Sequence, residues 1–325
     1  MSEKAVITLA IGSIYYLNLS WNLARSFRCW HDFHNVSFHI ITDLDDVPWP
    51  KDLSWVHRRV VGEGALGIGF SCKLQLDRLA PAQQTLFLDA DCLVCGSLEP
   101  VFEQMQGRSV GVVGGKIQKG EWFGDIGQLL QKLNLSSLPK FNGGLYYLEP
   151  GKVCDGVFAR ARALEPQYDA LGLLRLRNRP NDELLMSIAM AEAGLTALVD
   201  DGSILGDPQA CQVKLRIDVP RGQCQLTNPP AYNPLHQPWY PVGTISPRVV
   251  HFLAHHTDQH PYRTQEIQLA LMQRDSWPRG LAQLAAEVRF GMPARLRTWV
   301  KNLLRPIYRK LCGVRSVKAS PRLVS

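Results

Sequence analysis

Long apolar runs are missing from this chain. No stretch approaches the roughly 18 apolar residues that a membrane-spanning helix needs, so a spanning helix is excluded. The run from Ala5 to Leu17 comes nearest, but it follows Glu3-Lys4 instead of a basic segment and is broken by Gly12-Ser13 and Tyr15-Tyr16. It reads as a buried strand, Ala5 to Ile11, and not as an export signal. Charge is sparse as well: 20% of the 325 residues are charged against 46% hydrophobic, which excludes a disordered chain and allows one large core or two modest ones. Internal repeats and low-complexity tracts are absent. So is a disulfide framework, because the eight cysteines are scattered through periodic segments as reduced thiols would be. Cys92 and Cys95 form a lone Cys-x-x-Cys without the second pair that marks a zinc site. These absences together predict a cytoplasmic globular protein.

What charge there is lies unevenly. Residues 286–325 hold ten Lys/Arg against the single Glu287, a local +9 that leaves −2 of the net +7 to residues 1–285. Within this tail, Leu296, Trp299, Val300, Leu303, Leu304, Ile307, Tyr308 and Leu311 recur at helical spacing, with Arg295, Arg297, Lys301, Arg305, Arg309 and Lys310 on the remaining surface. The pattern predicts a basic amphipathic helix, bent at Pro306. Such a helix suits an anionic membrane surface, where each Lys/Arg contributes about 1 kcal/mol, and would make the protein peripheral to the inner face. The alternative is a helix that docks its apolar stripe on the protein's own core. Nucleic acid is a poor partner, because the body is slightly acidic and no nucleic-acid motif is present.

Along the body, β-rich runs alternate with helical patterns. Strands are expected at Ala5–Ile11, Val36–Thr42, Trp55–Val61, Thr85–Leu88, Ser109–Val113, Gly144–Leu148 and Thr196–Val199. Helices are expected at Tyr15–Phe27, Ser71–Leu79, Leu98–Met105, Lys152–Leu164 and Asp182–Ala193. This alternation predicts an α/β fold with a mostly parallel sheet, which binds ligands beyond the carboxyl ends of its strands. Residues 202–248, rich in Pro, Gly, Asn and Gln and including Gln237-Pro238-Trp239, read as a long ordered loop that closes over substrate.

Asp89-Ala90-Asp91 stands at such a strand end, directly after Thr85-Leu86-Phe87-Leu88. Two carboxylates at i and i+2 where a strand turns into a loop can face one crevice and share a divalent cation, which in turn can neutralise a diphosphate. Taken alone, the triplet also fits a solvated turn.

The segment Lys73-Leu74-Gln75-Leu76-Asp77, then Thr85 to Val94 around the aspartate triplet, then Leu98-Glu99-Pro100-Val101-Phe102, resembles the core of the GT-A fold glycosyltransferases, particularly glycosyltransferase family 8 and its relatives. Phe141-Asn142-Gly143-Gly144-Leu145 is similar to that family's Phe-Asn-(Ser/Gly)-Gly strand, Pro180-Asn181-Asp182-Glu183-Leu184-Leu185 to its acidic donor-site helix start, and Val250-His251-Phe252 to its late His-Phe motif. The likeness runs over residues 5–262. It implies a single GT-A-like domain, residues 1–285, with a mostly parallel mixed sheet, followed by the basic helix and tail, 286–325.

The same resemblance implies a set of roles. Asp89, Asp91 and His251 would be metal ligands, for manganese first and magnesium second. Asp89 with Ala90, and Thr8, Ala10, Ile11 and Gly12 at the exit of the first strand, would line the donor, with Tyr16 stacking on the base. Asn142, Gly143 and Gly144 would let a sugar approach the main chain closely. Lys73 would reach the diphosphate or the sugar, and Asp182 and Glu183 the sugar hydroxyls, although a helix start favours acidic residues in any case. The implied donor is a nucleotide sugar, with UDP favoured, the acceptor a glycan or lipid-linked molecule, and the outcome retention. Two departures stand out: His260-Pro261-Tyr262 comes three residues late with His in place of the family's late Lys, and Asn-Asp-Glu replaces Asp-Gln-Asp at the helix start.

Two other readings remain open on the sequence. A haloacid-dehalogenase-like phosphatase would use Asp89 as nucleophile and Asp91 as general acid, with Leu198-Val199-Asp200-Asp201 as its late acidic motif. A catalytically idle, membrane-associated binding protein would use neither.

Overall fold

The computed structural model describes residues 3–209, 211, 215–233, 236–238, 240–313 and 323–324. Trp239 of the expected loop and Arg315, Lys318 and Arg322 of the basic tail lie outside the described residues. In chain order the elements are β1 (Lys4–Ala10), α1 (Ile14–Arg28), β2 (Val36–Thr42), β3 (His57–Val60), α2 (Leu76–Leu79), β4 (Gln84–Leu88), β5 (Cys92–Val94), α3 (Glu99–Met105), β6 (Val110–Gly111), β7 (Gly114–Ile117), α4 (Ile126–Leu133), β8 (Leu138–Phe141), β9 (Leu145–Leu148), α5 (Lys152–Leu164), β10 (Arg175–Leu176), α6 (Asp182–Glu192), β11 (Leu205–Gly206), β12 (Leu215–Asp218), β13 (Gln223–Asn228), β14 (Gly243–Ile245), β15 (Val249–His251), α7 (Tyr262–Gln273), α8 (Arg279–Ala286), α9 (Met292–Cys312) and β16 (Leu323–Val324).

The main sheet runs β3-β2-β1-β4-β9-β6. Its first four strands are parallel, while β9 is antiparallel to both β4 and β6. The expected α/β class with a mostly parallel mixed sheet is therefore the one observed. β1 and β4 are buried on both faces, which explains why their sequences are continuous apolar runs and not alternating ones. The two faces feed separate cores. Ile7, Phe87, Tyr146 and Leu148 pack with Val157 and Phe158 of α5 and Leu184 and Ile188 of α6, whereas Val6, Leu86, Leu88 and Tyr147 pack with Leu17, Leu23 and Phe27 of α1 and Phe102 of α3. Helices thus cover both faces, and the carboxyl ends of β1, β2 and β4 share one edge.

Four expectations need correction. The segment expected as a helix at Ser71–Leu79 is a 3-10 turn over Gly69–Gln75 that becomes α-helical only in α2. Thr196–Val199 makes only a single bridge, Leu198 to Val113, before the chain turns at Asp200, and Val199 is 75% exposed. The supposed loop 202–248 contains β11 and a three-stranded antiparallel sheet, β12-β13-β14, covering a third core with Leu93, Val250, Phe252 and Tyr262. α4, α7 and α8 were not anticipated.

The tail helix does form. α8 passes through a π-helical turn, Glu287–Gly291, into α9, which carries Pro306 inside it. No residue of α9 is buried, and its apolar stripe is 38–79% exposed. The stripe therefore does not dock on the protein's own core. Among the described residues, no helix is long and apolar enough to cross a membrane.

Candidate active site

Asp89 leaves the end of β4 between two strands that hold the chain on both sides: its N–H donates to Gly144 O, and its own carbonyl accepts from Cys92 N. The tight link Asp89-Ala90-Asp91 then feeds β5, which pairs antiparallel with β15 so that Cys92 lies opposite His251. Strand pairing thereby carries His251 from the far end of the sequence to the aspartates. Its Nε2 lies 3.1 Å from Asp91 Oδ1 and 3.4 Å from Asp89 Oδ2. Its Nδ1 lies 2.6 Å from Asn142 Oδ1, which also accepts from Gly144 N. An amide oxygen on Nδ1 requires the proton there and leaves Nε2 aimed at the carboxylates, the arrangement by which metal-binding imidazoles are oriented. Asn142, expected against a sugar, thus has its oxygen committed to His251.

The 3.1 Å between Asp91 Oδ1 and His251 Nε2 matches the edge of an octahedron with bonds of about 2.1 Å, whereas Asp89 Oδ2, 3.4 Å from the same nitrogen, is also held by Lys73. Among the described residues, the ligand atoms that all lie within 4.8 Å of one another are those of Asp91, Cys92 and His251, and the expected ligand Asp89 is not part of that group. Burial alone would lower the His251 imidazole, but Asp91 and Asp89 outweigh it and push it up to about 9. The site is built to hold positive charge, as a proton on Nε2 or as a divalent cation in its place between Asp91 and His251. Burial raises the Cys92 thiol well above its ordinary value and it donates to Gly144 O, so it is a poor ligand.

Lys73 ties Asp89 to the α6 start. From its 3-10 turn it donates to Asp89 Oδ2 at 2.7 Å and Gly143 O at 3.0 Å, and stands 3.8 Å from Asp182 Oδ2. Burial works against its charge, yet Asp182 and Asp89 raise it, so it stays protonated. The Asn181 side chain accepts from Leu184 N and caps α6, setting Asp182 and Glu183 in the first turn. Asp182 accepts from Tyr146 OH, and Glu183 from Gly143 N at 2.7 Å. Burial and the neighbouring Asp182 push Glu183 up to about 7. Both glycines are required by this packing: a Cβ on Gly144 would stand 2.3 Å from His251 Nδ1, and one on Gly143 2.9 Å from Glu183 Cγ.

The remaining expectations fare differently. Thr8 and Ala10 are fully buried in β1, and Ala90 is buried between the two aspartates. Ile11 is half-buried, and exposed Gly12 donates its N–H to both oxygens of Asp43, an acidic residue just past β2 that the sequence did not single out. Tyr16 is exposed and stands edge-on to Tyr15. It is Tyr15 that the structure ties toward the site: its hydroxyl bonds Thr257, and burial raises it, with Asp258 and Asp91 adding to the shift. His260 is bonded to Thr264 and stands 3.4 Å from Arg295, and among the described residues no bond links it to the acidic cluster.

No protein-family model matches the chain, and no curated protein matches it in sequence. Solved structures do. The galactosyltransferase LgtC in complex with donor and acceptor sugar analogs is similar over 77% of this chain and 87% of its own, at 14% identity and a TM-score of 0.48. The glycosyltransferase GlyE of Streptococcus pneumoniae is similar over 61% of this chain, at 12% identity and a TM-score of 0.40, and the chain spans 45% of GlyE. Mouse xyloside xylosyltransferase 1 is similar over 76% of this chain and 97% of its own, at 11% identity and a TM-score of 0.43. All three of these solved structures are glycosyltransferases by name.

The late acidic motif of the phosphatase reading is spoken for. The buried Asp200 carboxylate accepts from the N–H groups of Ser203, Ile204 and Leu205 and closes a turn.

Proposed function

We propose that this chain is a metal-dependent glycosyltransferase that moves a sugar from a nucleotide-diphosphate donor to a glycan or lipid-linked acceptor. One observation carries the reading: the Asp89-Ala90-Asp91 turn and His251, from two distant stretches of sequence, meet beyond the carboxyl end of β4, with His251 Nε2 3.1 Å from Asp91 Oδ1 and 3.4 Å from Asp89 Oδ2. Asp89, Asp91 and His251 would hold manganese or magnesium, which when bound supplies a Lewis acid for the departing diphosphate. Lys73 holds Asp89 in place with a hydrogen bond and stands beside Asp182. Asp182 and Glu183 stand where hydroxyls of the donor sugar can be read, Glu183 with a proton to give or take near neutral pH. The UDP donor and the retention of configuration follow from the family resemblance. Residues 1–285 form the transferase unit, and the exposed stripe and basic flank of α9, within 286–325, fit an anionic membrane on the cytoplasmic side.

The test is Asp91→Ala, read by manganese electron paramagnetic resonance titration and by transfer from a panel of nucleotide sugars. Loss of the ion's several kcal/mol of charge stabilisation predicts a fall in turnover of about a thousandfold, together with loss of manganese binding. Manganese affinity and turnover both unchanged would refute the reading.

A further inference from the structure

Away from the acidic crevice, the protein has a cavity of about 550 Å³ whose charged lining residues, among the described residues, are all arginines. It lies between the β12–β13 hairpin and the segments that follow β5 and precede β15, with Trp30, Ser97, Arg216, Arg221, Ser246 and Arg248 in its wall. That volume is within the range of small-molecule sites, roughly 300–1,000 Å³. Arg221 has a carboxylate nearby, Asp218 at 3.5 Å. Arg216 and Arg248 have none among the described residues. Because residues 1–285 sum to −2, this cluster is a local concentration of positive charge and not a share of a general excess.

The two unpaired arginines are held by rigid elements. Arg248 is fixed on both sides of its backbone, donating to Ser203 O and accepting from Cys95 N, and its side chain lies over Gly96, where a Cβ would stand 3.5 Å from Nη1. Arg216 faces Gln225 across the hairpin, while the next pair, Ile217 and Cys224, points into the core. Alternation along the strand therefore sends Arg216 to the open side. Guanidinium groups match phosphate oxygens in geometry as well as charge. Trp30 adds an apolar wall against which a sugar ring can pack, and Ser97 and Ser246 add hydroxyls. Arg248 precedes His251 by three residues, about 10 Å along the strand, so the cavity sits at the opposite end of the β5–β15 ladder from the acidic cluster.

We propose that this cavity is a second saccharide site, one that takes a phosphorylated sugar with its phosphate on Arg216 and Arg248 and its ring against Trp30. It shares no residue with the acidic cluster and does not depend on the transferase reading. Isothermal titration in EDTA, with glucose 1-phosphate, inorganic phosphate and glucose as probes, tests it. Glucose 1-phosphate is expected to bind most tightly, phosphate more weakly, and glucose without measurable heat. Arg216→Gln combined with Arg248→Gln should weaken glucose 1-phosphate at least about tenfold, since charged hydrogen bonds are lost. Arg216→Gln alone, on an exposed strand position with its fold checked by circular dichroism, should weaken it by about threefold or more. Binding unchanged in these variants, or glucose binding as tightly as its phosphate, would overturn the proposal.

Discussion

Around Asp89 the chain packs Lys73, Asp182, Glu183 and His251 into a partly closed cluster, whereas along α9 it leaves Leu296, Trp299, Leu303, Leu304, Ile307 and Leu311 in the open. The two regions depart from ordinary burial in opposite directions. In the cluster each charge has a named partner, so the cost of desolvation is met inside the protein. Along α9 the apolar stripe has no partner, so whatever covers it lies outside the described chain. Satisfied burial reads as a site; unsatisfied exposure reads as a surface.

The cluster breaks most severely at its only lysine. Lys73→Met keeps the length and apolar stem of the side chain but leaves Asp89 and Asp182 facing each other without the cation between them. Removing one partner of a buried ionic group typically costs about 3–5 kcal/mol, and guanidinium unfolding should show a loss of that order. A loss below about 1 kcal/mol would mean that Lys73 is an ordinary solvated lysine.

His31 offers a contrast within the same fold, a buried imidazole held neutral instead of charged. Its Nε2 accepts the N–H of Leu98, its ring stacks on Phe27, and burial pushes it down to about 4. The unfolded chain gains a proton near pH 6.5 that the native state refuses until about 4. Stability from this group is therefore complete above pH 6.5 and is lost as pH falls toward 4, by an amount on the order of 3 kcal/mol. Urea midpoints between pH 7 and 4 should fall steeply in the wild type and less so in His31→Gln. Equal slopes would mean that another group controls acid stability.

The orientation of His251 can be loosened without touching a ligand. Gly144→Ala places a methyl group 2.3 Å from His251 Nδ1 and must push the ring off Asn142. Disturbing such an outer contact costs about 10–100-fold in metal affinity, so manganese titration should weaken by that factor while the fold remains. Unchanged affinity would remove His251 from the metal-binding trio.

Much of this frame was legible in the sequence, and the limits have physical causes. β1 and β4 announce themselves because strands buried on both faces must be apolar throughout. α9 announces itself because helical period and charge segregate together. β12 and β13 did not: Leu215-Arg216-Ile217-Asp218 and Gln223-Cys224-Gln225-Leu226 alternate within a Pro- and Gly-rich stretch, and composition concealed the hairpin. The aspartates and His251 could be named in advance only through a resemblance. What brings Asn142 to His251 is a pairing across 109 residues, which no local pattern records. Tyr15 and Tyr16 are adjacent, so helix phase alone decided which of them met Thr257.

The smallest effect on the fold belongs to α9, and that smallness is the point of the experiment. Replacing Leu296, Leu303 and Ile307 by Ser removes three exposed apolar side chains and touches no core, so unfolding free energy should change by no more than about 0.5 kcal/mol per site. If the helix docked on the protein's own body, the same changes would cost several kcal/mol, as core truncations do. Binding to vesicles containing phosphatidylglycerol should instead fall sharply in the triple variant, and in the wild type should weaken with salt as the contributions of Arg295, Arg297, Lys301, Arg305, Arg309 and Lys310 are screened. Full stability with undiminished vesicle binding would mean that neither core nor membrane covers the stripe. A second protein surface would then be the remaining partner for it.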